Sequence, residues 1–212
     1  MNAFLRRAAV LAAAVLPLTA CSDSGIDPDE VKGVPESWRS DTAEDWPDSD
    51  AYGGSIAILS RGSCLLADDP PELFGAAPQF TDVGYGGFGT SKDGYQYVCN
   101  FWAEDEYAGS LTLTQATTAT ELDELATEFE GQQSSEVQDN SVETVKSGQL
   151  QIAVLSRWYP TNPQGAYQAL YYNTDDLAAV VLEVNSLDKQ MYDDASPQEV
   201  ADALVALMAQ AS

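Results

Sequence analysis

Carboxylates, three cysteines and a few basic side chains are the reactive groups of this 212-residue chain, which has no histidine. That excludes a Ser-His-Asp or Cys-His arrangement and any histidine-ligated metal. Ser186-Leu187-Asp188-Lys189 spells Ser-x-x-Lys and Lys146-Ser147-Gly148 spells Lys-Ser-Gly. Their order is the reverse of that in penicillin-recognising enzymes and the central motif is missing, so both read as coincidence. Gly84-Tyr85-Gly86-Gly87-Phe88-Gly89 fits Gly-x-Gly-x-x-Gly, but a dinucleotide site needs a helix N-terminus after it, and Thr90-Ser91-Lys92-Asp93-Gly94 is turn chemistry. The expectation is a mobile glycine loop between the two cysteines, the alternative being that it presents Tyr85 and Phe88 as exposed aromatics able to grip a ligand or partner. Only five Lys or Arg residues lie beyond residue 40. One of them, Arg157, stands beside Trp158 and Tyr159, a candidate pair for holding a carboxylate or phosphate unless Arg157 is taken up by an internal salt bridge. Asp68-Asp69, Asp175-Asp176 and Asp193-Asp194 read as solvated charge. None has calcium-loop spacing, and no metal or cofactor is expected.

Residues 1–20 are read as a signal peptide: Arg6-Arg7, then an apolar run from Ala8 to Leu18. Eleven residues at 1.5 Å rise give about 16 Å, short of the roughly 30 Å hydrocarbon core of a bilayer. The run ends in Leu18-Thr19-Ala20-Cys21, which resembles the lipobox of bacterial lipoproteins. The resemblance implies cleavage before Cys21, acylation of that cysteine and anchoring at the outer face of the cell membrane, two acyl chains giving stable attachment.

Without residues 1–20 the chain keeps seven Lys and Arg against 34 Asp and Glu, a net charge of −27. Nucleic acid is thereby excluded as a partner, since its sequence-independent affinity comes from basic side chains displacing counterions. Cys64 and Cys99 remain, and an even pair outside the membrane reads as a disulfide rather than a metal site, the alternative being two separate thiols.

Residues 21–54, rich in Asp, Ser, Pro and Gly, read as a flexible acidic tether of about 30 Å reach. Trp38 and Trp46 are unusual in a spacer and suggest that part of it packs on the domain or on lipid. Beyond it, Gly54 to Ser60 fits either a short strand or a helical turn. Tyr95 to Trp102 and Leu111 to Thr114 read as a hairpin across Glu104 to Gly109. Thr118 and Glu121 form a capping box before Leu122, Leu125, Ala126 and Phe129, and Gly131 stops that helix. Val142–Val145, Leu150–Trp158, Ala166–Tyr172 and Leu177–Val184 alternate as strands. Ser196-Pro197-Gln198-Glu199 opens a terminal helix with Val200, Ala203, Leu204, Leu207 and Met208 on one face. Helices separated by several strands, without β-α alternation, predict one α+β domain over residues 55–212: an antiparallel sheet packed with two amphipathic helices.

Cys64-Leu65-Leu66, with Cys99-Asn100-Phe101-Trp102 some 35 residues on, resembles small actinobacterial lipoproteins of uncharacterised function. The resemblance covers roughly Ser55 to Ala211. It implies a PsbP-like α/β sandwich and a Cys64–Cys99 bridge, and carries over no catalytic residues. The expected function is a non-catalytic, membrane-anchored domain that binds a protein of the cell envelope. Alternatives are a carrier of an apolar or lipid ligand and, more weakly, a carboxylate-dependent cell-wall hydrolase. A Cys21→Ser chain should titrate no free thiol before reduction and two after it; two before reduction would mean separate thiols.

Overall fold

The computed structural model describes residues 26–46, 57–59, 63–74, 77–132, 134, 138–161 and 164–211. Residues 1–20, read above as a signal peptide, and Cys21 lie outside the described residues, as do Asn162 and Pro163 of the expected turn.

Among the described residues eight strands form one sheet: β1 (Ala57–Leu59), β2 (Gln79–Gly87), β3 (Tyr95–Ala103), β4 (Glu106–Gln115), β5 (Asp139–Ser147), β6 (Leu150–Tyr159), β7 (Gln164–Asn173) and β8 (Ala178–Ser186). Seven are long and β1 is a three-residue edge. Every neighbouring pair is antiparallel, in the order β1-β2-β3-β4-β8-β7-β6-β5. Two meanders therefore meet where β4 pairs with β8. Short connections explain the meanders: Ala103 pairs with Glu106 across a two-residue turn in which Glu104 has φ 55°, a conformation such turns demand. The loop expected from Glu104 to Gly109 is thus shorter, and β4 starts earlier.

The α+β expectation holds, with four α-helices among the described residues rather than two: α1 (Glu36–Asp45), α2 (Ala119–Glu130), α3 (Lys189–Asp194) and α4 (Pro197–Gln210). Both expected helices carry the capping boxes read from the sequence, Thr118 with Glu121 and Ser196 with Glu199. Alternation decides which face each strand residue serves. On β6, Ala153 and Leu155 pack with Leu122, Ala126 and Phe129 of α2, whereas Ile152 and Val154 pack with Val200, Leu204 and Met208 of α4. The helices thus cover opposite faces. We call the α4 side the inner face; it also carries α1, α3 and the Cys64 loop, and holds the larger core.

Cys64 and Cys99 are bonded, with Cα atoms 5.6 Å apart. Cys99 sits in mid-β3 facing inward, so the bridge fastens the loop before β2 to the centre of the sheet.

The tether reading is corrected for residues 26–46. Val31, Val34 and Trp38 are buried, and the Ile26 backbone N–H donates to Ala209 O at 3.1 Å. Trp46 lies 5.3 Å from both the Tyr85 and Tyr95 rings, and the Tyr85 hydroxyl donates to Thr42 O at 3.0 Å. The polar composition hid this because four large apolar side chains, spread over 16 residues among acids, serines and a proline, are enough to seat the segment. Trp38→Ala should lower unfolding stability by about 3–5 kcal/mol in chemical denaturation, whereas loss of a solvated spacer residue would change it by less than about 0.5 kcal/mol.

Candidate functional site

The best-formed concavity lies where the ends of β3, β4 and β8 meet the proline-bounded loop before β2 and the start of α3. Its volume is about 300 Å³, at the lower end of small-ligand sites. Phe101 and Val184, both buried, form its floor. Pro71, Leu73, Phe74 and Pro78 form one wall, Ala103 and Ala108 another, and Glu106, Tyr107, Asn185, Leu187, Asp188 and Met191 stand around the mouth.

Each wall has a local cause. Phe74 takes φ 57°, a strained value for a side chain with a Cβ, and its ring rests on Tyr167 at 6.1 Å. Tyr167 in turn packs at a tilt against Tyr192 at 4.9 Å, and Tyr192 against Trp158 at 5.1 Å. This aromatic series props the loop above the sheet. On the other side, Ser186 Oγ accepts from Asp188 N at 3.2 Å and donates to Asp188 O at 3.0 Å, and Asp188 caps α3 by accepting from Met191 N at 2.9 Å. That tight turn throws Leu187 outward, so Leu187 and Met191 are 57% and 46% exposed, the most exposed large apolar side chains among the described residues.

At the edge of the cleft, Tyr107 meets Trp102 edge-to-face at 5.8 Å, and both are exposed. Burial of its hydroxyl, opposed by a hydrogen bond with Ser110 and reinforced by the nearby Glu183 carboxylate, raises the Tyr107 pKa. The phenol stays neutral over the physiological range. Neighbouring acids on this outer face are held by amides: Asn100 donates to Asp82 at 2.8 Å, and Glu183 accepts from Gln168 and from Asn185. Asp82 and Glu183 stand on β2 and β8 with two strands between them, about 14 Å apart at ~4.8 Å per strand. Paired glycosidase carboxylates stand roughly 5–9.5 Å apart, so these two do not make such a pair. Among the described residues no three metal-ligating side chains converge.

The residues singled out from the sequence are dispersed. Gly84 to Gly87 belong to β2 rather than to a mobile loop, and alternation turns Tyr85 into the core at 0% exposure. It pins α1 instead of gripping a ligand. Phe88 is half-buried against the α2 cluster. The next residue, Gly89, has φ 67°, and a Cβ there would fall 2.1 Å from Glu121 Oε1. Glu121 accepts from the N–H groups of Thr117 and Thr90, which hold its carboxyl below the usual range and tie this turn to α2. Arg157 and Trp158 are successive strand residues and point to opposite faces, so they cannot form one site. Arg157 donates to Gln132 Oε1 and to the Tyr159 hydroxyl. Among the described residues no carboxylate lies within ion-pair distance of it. Trp158 lies on the inner side beneath Lys189 Nζ, 4.8 Å from its ring centroid.

Sequence reasoning missed Leu187, Met191, Tyr107 and Phe74. The only signal was a Leu and a Met four residues apart in an otherwise polar stretch after the last strand.

Tyr167 supports the loop and gives a pH signature. Burial, then the charges of Tyr192 and Asp193, push its pKa up to about 12. A phenol whose folded pKa lies above the unfolded value of about 10 contributes stability that is fully present below pH 10 and lost as pH rises towards 12. Unfolding stability should therefore fall by about 2 kcal/mol over that window on account of Tyr167. Tyr167→Phe should remove that part of the slope in urea titrations at stepped pH. Comparisons with protein-family models, curated proteins and solved structures find no match to the chain.

Proposed function

We propose that the chain is an extracytoplasmic lipoprotein, anchored through acyl chains on Cys21, whose domain is a non-catalytic binding module for a cell-envelope protein. The observation that carries the binding part is the half-open apolar cleft with Leu187 and Met191 exposed at its mouth. Solvated apolar side chains grouped around a concavity favour association, because covering them releases water at about 25 cal/mol per Å². The anchoring part rests on Leu18-Thr19-Ala20-Cys21 and on the resemblance of the cysteine pair to that of small actinobacterial lipoproteins. No helix of the described residues is long and apolar enough to cross a membrane, which is compatible with a lipid anchor. A carrier of an apolar ligand is the second reading. The small volume and open mouth favour a protruding segment of a partner over an enclosed lipid.

Cys21→Ser should move the protein from the membrane fraction into the medium. The released protein should then have its bare polypeptide mass, less two hydrogens for the disulfide, in native mass spectrometry. Retention in the membrane would remove the anchor, and a stoichiometric mass excess lost on organic extraction would replace partner binding by ligand carriage.

A further inference from the structure

We infer that the cleft opens away from the membrane that anchors the protein and receives a short apolar segment, flanked by basic residues, of a partner approaching from the distal side. This rests on the anchoring reading above. Ile26, five residues after Cys21, is hydrogen-bonded to the last turn of α4. Five residue steps from Cys21, at no more than ~3.6 Å each, reach at most about 18 Å. The Ile26 end of the domain is therefore kept close to the bilayer surface.

That end is well defined. Gln149, in the β5–β6 turn, donates to Asp29 O at 2.9 Å, and Gly33 packs against Asn173 and Asp176 of the β7–β8 turn. Both turns lie at the end of the sheet where β8 begins, at Ala178. The cleft lies where β8 ends, around Val184 to Asp188. Eight residue steps at ~3.4 Å separate the two ends by about 27 Å. The anchor and the cleft are therefore at opposite poles, and lipid of the anchoring bilayer does not reach the mouth.

Charge identifies the occupant. Glu106 and Asp188 stand at the mouth, Glu104 and Asp105 occupy the adjoining turn, and no Lys or Arg lines the cleft among the described residues. An apolar floor inside an acidic rim, on a chain whose net charge is −27 without residues 1–20, matches apolar side chains between cationic ones. Long-range attraction then steers such a partner in, within the roughly 8 Å screening length of physiological salt.

The test uses the lipidated protein reconstituted in phosphatidylcholine vesicles. A dye is attached to Asp29→Cys or to Leu187→Cys, and energy transfer to an acceptor lipid is measured. Transfer from position 29 should exceed that from position 187 at least twofold. Equal or reversed transfer overturns the polarity, whereas a protein that never enters the membrane fraction overturns the anchoring on which it rests. The occupant is probed with a peptide of Leu-Phe-Leu between pairs of Lys and its twin between pairs of Glu, with empty vesicles as blank. The Lys peptide should bind at least tenfold more tightly, and Leu187→Ser with Met191→Ser should weaken it at least tenfold. Equal affinity for the twins, or indifference to the double substitution, overturns the assignment.

Discussion

Pairing of β4 with β8 is the constraint on which the rest of the structure depends. Residues Gly109 to Gln115 meet Ala178 to Val184 in unbroken antiparallel register, and this ladder, between strands more than 60 residues apart in sequence, alone makes one sheet of two meanders. Its tightest point is Gly109, where a Cβ would lie 2.0 Å from Glu183 O and within 3 Å of the Phe101 ring. Without that glycine the strands could not close over Phe101. The same register carries Ala103–Ala108 up against Val184–Asp188, so the floor of the cleft is a direct product of the join.

Around the sheet, acidity and burial are kept apart. The buried polar residues among those described are Thr42, Thr114, Ser147 and Ser186, all neutral, so none of the described carboxylates is held in the core. Acids are used at helix starts: Glu121 and Glu199 close capping boxes and Asp188 caps α3, positions where the backbone N–H groups need acceptors and the helix dipole favours negative charge. The remaining negative charge is left on the surface, where it repels like surfaces and favours cationic ones.

Aromatic side chains do the long-range fastening. Trp46, Tyr85, Tyr95 and Tyr97 bind α1 to β2 and β3, and Phe74, Tyr167, Tyr192 and Trp158 join the proline loop to β6, β7 and α3. The first group draws the N-terminal segment onto the domain, which shortens the distance to Cys21. The second holds the cleft open. One device thus sets both where the N-terminal segment lies and what the cleft presents.

The sequence by itself determined whatever is local. Capping boxes at Thr118 and Ser196 mark the two longest helices, because hydrogen bonds between residues three apart need no other part of the chain. Period-two alternation marks β6 to β8, whose inner and outer residues face different helices, and the cysteine count marked the bridge. Tertiary structure decided the rest. Tyr85 reads as an exposed loop aromatic until β3 supplies the register that turns it inward. Residues 26–46 read as tether, with Trp38 and Trp46 pointing to a contact with either the domain or lipid, until α1 meets the sheet, and Arg157 and Trp158 read as one site until alternation sends them to opposite faces. The cleft was illegible because its walls come from residues 71–78, 101–108 and 184–191, and only non-local strand pairing brings these together. Burial and concavity are properties of assembled surfaces, and composition in a single stretch of chain does not encode which other stretch will cover it.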